Sequence, residues 1–139
     1  MRGFVVAFAA AAMAAFAAGP AAFAGTEVNV DESWCIRDRP DPPTACGSIH
    51  ANDDYPLQVF TATEGRARHF RVCSTSPAGR TRCVPRKTSR ILVRHHGTVI
   101  RIDTFRFNGA FPHRLPGTYE VAWRSHGSQL GRTLRFSLP

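Results

Sequence analysis

From Tyr55 onward, apolar and polar residues alternate in short runs, and Gly, Pro, Asn and Ser separate one run from the next. Period-two alternation bounded by turn-forming residues is the pattern of β-strands that bury one face in an antiparallel sheet. The runs are YPLQVFT, ARHFRVC, RTRCV, SRILVRH, TVIRIDTFRF, TYEVAWR and QLGRTLRFSL, with TEVNV (residues 26–30) opening the series. About eight strands are therefore expected, a number that suits two sheets packed face to face in a single all-β domain. Between the first two runs lies DESWCIRDRPDPPTACGSIHANDD, whose prolines disfavour a central strand and predict a long loop tied by its own cysteine pair.

Register is legible in one place. In RVCSTSPAGRTRCVPR, letting Cys73 face Cys83 across an antiparallel pair makes Val72 face Val84 and centres the turn on Ala78. Both valines then share one face and both cysteines the other, so the sulfur pairing and the hydrophobic pairing require the same alignment. STSPAG supplies the Pro and Gly of the hairpin loop. In TVIRIDTFRF the alternation changes phase: Ile100 and Ile102 share one face, Phe105 and Phe107 the opposite one. A one-residue bulge near Asp103 and Thr104 would return both pairs to the core, and a strand break there would do the same.

The first 24 residues carry one Arg, an apolar run rich in Ala and Phe, a Gly19-Pro20 breaker and Ala22-Phe23-Ala24. That is the layout of a cleaved export signal, which leaves one domain over residues 25–139 with no transmembrane anchor. An uncleaved anchor is the competing reading, since the run approaches spanning length, but Ala is a weak membrane residue. Export to an oxidising compartment and an even cysteine count favour two disulfides. Sequential pairing, Cys35 with Cys46 and Cys73 with Cys83, closes short loops, each bridge contributing about 3 kcal/mol in the chain-entropy model. No two cysteines have the close spacing of structural zinc sites. Trp34, beside Cys35, is expected to pack against its bridge.

Charge divides the chain. Residues 25–64 have a net charge of −6 and residues 65–139 one of +13, with no acid over residues 65–102. Such asymmetry invites a polyanion. A GC-rich coding bias toward Arg, Ala, Gly and Pro competes as an explanation, as does packing of the acidic third against the basic remainder. The basic hairpin tip, Arg80, Arg82, Arg86 and Lys87, is the expected contact surface.

LPGTYEVAWRSHGSQLGRTLRFSLP alternates Tyr119, Val121 and Trp123 inward, turns at SHGS, and returns with Leu130, Leu134, Phe136 and Leu138 on one face, interrupted by Arg132. Gly117 two residues before Tyr119, in the strand next to last, resembles the tyrosine corner of immunoglobulin-like sandwiches. The resemblance is to the broad immunoglobulin-like or fibronectin-like architecture of exported bacterial proteins. It implies an immunoglobulin-like antiparallel β-sandwich of about seven to eight strands, with a Tyr119 hydroxyl bonded back to the preceding corner. The same segment is similar to the closing strands of the exported copper-resistance β-sandwich family. That likeness implies copper binding, with His126 as the one position carried over; the family's amino-terminal His has no counterpart, because no His precedes His50. Independently, six histidines (His50, His69, His95, His96, His113 and His126) are many for this length, and two or three together are candidate copper or zinc ligands.

Catalytic signatures are missing: the sequence has no Gly-x-Ser-x-Gly elbow, P-loop or His-Glu-x-x-His. Asp31-Glu32 and Asp53-Asp54 are adjacent carboxylates, but neighbours in an extended chain diverge. The chain is thus expected to be a secreted, non-catalytic binding or envelope-associated module without a cofactor. The sequence names no ligand: an anionic envelope polymer or another extracellular protein is a candidate partner, and no nucleic acid is expected. An exported copper- or zinc-binding protein is one alternative, and a basic protein that binds cell-wall polymer or acidic glycan is another.

Overall fold

A computed structural model describes residues 30–36, 44–51, 57–95, 97–112 and 115–139. The segment expected to be an export signal falls outside them. Nine strands form two antiparallel sheets: β1 (Val30–Ile36), β2 (Ala45–Ala51), β3 (Gln58–Glu64), β7 (Thr98–Arg106) and β6 (Arg90–His95) in that spatial order, and β5 (Thr81–Lys87), β4 (His69–Thr75), β8 (Gly117–Ser125) and β9 (Ser128–Leu138) in the other. One helical turn, α1 (Phe107–Ala110), follows β7. No helix among the described residues is long and apolar enough to cross a membrane.

The β4–β5 hairpin has the expected register, with Cys73 opposite Cys83 and Val72 opposite Val84. Gly79 N–H donates to the Ser76 carbonyl and Ser76 N–H to the Arg80 carbonyl, closing the turn around Ala78. Both disulfides pair sequentially, and no described cysteine is free. Pro85 lies on β5, an edge strand, where its missing N–H costs no ladder bond inside the sheet.

Two expectations are corrected. The Asp- and Pro-rich segment is not one long loop: β1 and β2 lie within it, with Cys35 directly opposite Cys46. Pro40, Pro42 and Pro43 fall between these strands, outside the described residues, so their ladder is spared. The phase change in β7 produces neither a bulge nor a break. β7 pairs with β3 without interruption from Gln58↔Arg106 to Glu64↔Ile100. Its two faces are both apolar instead: Phe105 packs against the inter-sheet core, while Ile100 and Ile102 join Phe60, Ala62 and the Cys35–Cys46 bridge in a second buried cluster on the other face. Phe107 leaves the strand and, as the first residue of α1, is fully buried in the main core.

Two tryptophans hold the sheets together. Trp123 of β8 is fully buried, donates its indole N–H to the Thr61 hydroxyl of β3 at 2.6 Å, and meets Trp34 of β1 edge to face at 5.5 Å. Trp34 is packed as expected, but in the inter-sheet core and not on its neighbouring disulfide, since Cys35 projects to the opposite face. Its ring fits only because Gly47 and Gly131 carry no side chain. A Cβ on Gly47 would lie 2.6 Å from the ring, and one on Gly131 would also collide with it.

Gly131 sits at φ 64 where the β8–β9 register shifts between Val121 and Trp123. This irregularity also explains Arg132, which interrupts the apolar face of β9. Its guanidinium reaches sideways to the Ser33 carbonyl (3.1 Å) and to Glu32 (3.5 Å), while Arg135 N–H donates to the same carboxylate. β1 and β9 are thereby clasped along one side of the sandwich.

At the corner before β8, the Tyr119 hydroxyl donates to the Leu115 carbonyl at 2.9 Å and accepts from Leu115 N–H at 3.3 Å. The ring stacks on Phe136 and meets Phe107 edge on, so the corner is anchored to the core.

Gly131→Ala should lower stability by roughly 2–4 kcal/mol, through collision with Trp34 and a left-handed backbone that Ala tolerates poorly. Urea unfolding followed by tryptophan fluorescence checks this; an unchanged midpoint would contradict the packing described. Tyr119→Phe should cost about 1–2 kcal/mol by removing the corner hydroxyl, read from the same curves.

Candidate functional site

β4 is central in its sheet, and its alternation sorts charge from grease. Phe70 and Val72 point into the core; His69, Arg71 and Cys73 occupy the outer face. Pairing carries this face to both neighbours. Arg71 stands opposite Arg124 of β8, and His69 opposite Lys87 of β5. Residues directly opposite across an antiparallel pair have Cβ atoms about 5 Å apart, and like charges so placed repel.

All four side chains are exposed. Beside His69, Arg71 and Arg124 lies a depression of about 570 Å³, floored by the Cys73–Cys83 bridge and lined also by Arg86 and His126. The bridge fixes β4 to β5 directly beneath the arginines, so the two guanidiniums rise from a rigid base.

The acids near this surface are already engaged. Residues 65–139 contain only Asp103 and Glu120. Glu120 binds Arg135 at 2.8 Å. Asp103 binds Arg86 through two parallel bonds of 2.7 and 2.6 Å. The Arg86 guanidinium also lies 4.3 Å from the centre of the Phe105 ring. Bidentate geometry, partial burial and a ring face make this the strongest described ion pair. It bridges β5 to β7, and with the Thr63–Thr88 hydroxyl contact of 2.6 Å it closes the second side of the sandwich.

The four basic residues expected to act together therefore separate. Arg86 is committed to Asp103. Lys87 is exposed beside His69. Arg80 and Arg82 lie at the far end of β5, where both line a different pocket, between the hairpin and the β7–β8 connection. The Arg71–Arg124 pair requires the β4–β8 pairing, which joins distant parts of the chain, so local sequence patterns gave no sign of it.

His126 occupies the tight turn between β8 and β9, with φ 48 followed by Gly127 at φ 81, the double left-handed turn that suits hairpins. It faces the cationic depression, where neighbouring guanidiniums favour an anion over a metal cation. Among the described residues, no three His, Cys, Asp or Glu side chains gather as a metal site. His96 and His113 lie outside the described residues. His50 is buried on β2, where its Nδ1 lies 3.9 Å from Asp31.

Arg86→Ala should destabilise the fold by about 1–3 kcal/mol, because a partly buried carboxylate loses both of its donors. Thermal or urea unfolding measures this, and a neutral result would show the bridge to be dispensable. No protein-family model, curated protein or solved structure matches the chain.

Proposed function

We propose that this chain is an exported, immunoglobulin-like, non-catalytic binding module whose basic sheet face engages an anionic envelope polymer. Strand order supports the architectural part. β2-β3-β7-β6 follows the A-B-E-D order of immunoglobulin sheets, and β4-β8-β9 follows C-F-G, with β5 added beside the C equivalent. Tyr119 then sits near the start of the F equivalent, where the tyrosine corner belongs. Two closed disulfides suit an oxidising, extracytoplasmic compartment.

One observation carries the binding proposal: Arg71 and Arg124 are held side by side on a rigid face, with both acids of the basic region engaged elsewhere. An unrelieved like-charge pair costs folding free energy. A bound polyanion reverses the sign of that contribution, because each guanidinium then donates charge-assisted hydrogen bonds. Rigid sheets position such a surface without needing catalytic groups.

Retention of the folded, disulfide-bonded protein on immobilised heparin, and on purified anionic wall polymer, tests the proposal. Arg71→Ala with Arg124→Ala should elute at clearly lower salt, since exposed charge interactions are screened over about 10 Å at 0.1 M. Arg80→Ala with Arg82→Ala removes the same net charge and should change elution less. Equal losses from both pairs would reduce binding to net charge and overturn the assignment to the sheet face.

A further inference from the structure

Opposite the basic depression, at the other end of the four-stranded sheet, the β4–β5 hairpin leans on the corner that precedes β8. Gly117, at φ 122, leaves space for Pro77, whose Cβ would stand 3.0 Å from any side chain added there. The contact shapes a pocket of about 320 Å³ between hairpin and corner. Phe111 and Tyr119, both buried in the main core, form its apolar base. Leu115 forms one wall and is 48 % exposed, although apolar. Arg80, Arg82 and Ser76 of the hairpin complete the lining. Register places Arg82 opposite Ser74, on the same face as Val72, so its side chain is directed toward the pocket and away from the outer sheet surface. No described acid pairs with either guanidinium.

We infer that this corner pocket is a binding site for a small amphipathic carboxylate, its anionic head on Arg80 and Arg82 and its ring or branched acyl body against Phe111, Leu115 and Tyr119. The volume lies at the lower end of ligand sites, enough for one ring with a short arm. Apolar walls with one cluster of convergent donors fix orientation as well as affinity: the body is desolvated while the head keeps charge-assisted hydrogen bonds at the mouth. The site is anchored. The Leu115 backbone is tied to the Tyr119 hydroxyl, and Ser76 is tied to Arg80 across the turn, through the Ser76 N–H to the Arg80 carbonyl and through Arg80 N–H to the Ser76 hydroxyl. Both walls are therefore held before a ligand arrives. The pocket is independent of the Arg71–Arg124 surface and would stand if polymer binding failed.

Amide resonances of the folded ¹⁵N-labelled protein, titrated with 3-phenylpropionate, test this site. Saturable shifts are expected at Ser76, Arg82 and Leu115. The neutral 3-phenylpropionamide should bind at least about tenfold more weakly, as should 3-phenylpropionate to Arg82→Ala, each having lost the charge-assisted contact. Leu115→Glu should abolish the shifts; it leaves the corner bonds, which use only the Leu115 backbone. Arg71→Ala with Arg124→Ala should leave binding unchanged, which separates this site from the polymer surface. N-acetylphenylalanine binding more tightly than 3-phenylpropionate would identify a peptide carboxy-terminus as the source of the carboxylate, and the reverse order a free acid. Absence of corner shifts at millimolar ligand, equal affinity for acid and amide, or full affinity in a folded Arg82→Ala protein would each overturn the inference.

Discussion

The alternation of β4, fixed by the Cys73–Cys83 bridge and by Val72 against Val84, is the constraint on which the rest of the molecule depends. A slip of one residue would turn Phe70 and Val72 to solvent and bury Arg71. Burying an unpaired guanidinium is so costly that no competing register is accessible. Since β4 lies between β5 and β8, its register sets theirs: the same alignment that seats Val72 on the core stands Arg71 beside Arg124 outside. Core packing and surface chemistry are two faces of one choice.

Closure of the sandwich then decides which charges remain available. One side is sealed where Trp34 sits between Gly47 and Gly131 and Arg132 reaches Glu32. The other is sealed by Arg86 on Asp103 and by the Thr63–Thr88 contact. These fastenings take up Asp103, and Glu120 is held by Arg135 within its own sheet. Arg71 and Arg124 at one end, and Arg80 and Arg82 at the other, are left facing solvent without described acids. Two groups of basic residues that join none of these pairs thus stand at separate places on one sheet.

Much of this was legible in the amino-acid order, for identifiable reasons. The β4–β5 register could be derived because two cysteines and two valines are local and agree. Tyr119 could be placed at a corner because Gly117 and the alternation after it lie nearby. β1 and β2 were obscured by prolines that actually sit between them, although facing Cys35 with Cys46 would have aligned the two strands just as it did for the other pair. The phase change in β7 points to a bulge or break only if one face of the strand is buried, whereas Ile100 and Ile102 have a buried cluster of their own. Arg86 looked like part of a free basic tip because its carboxylate partner lies in another strand of another sheet. The Arg71–Arg124 pair was hidden for the same reason: it arises from pairing between strands far apart in sequence.

Guanidinium Nε–Hε resonances, followed individually as a short polyphosphate is added to the folded protein, test the sheet-face site most directly. Arg71 and Arg124 should move together and saturate at a common concentration, while Arg86, already held by Asp103, stays in place. Shifts spread evenly over all exposed arginines, or confined to residues outside the β4–β8 face, would contradict a built anion site there.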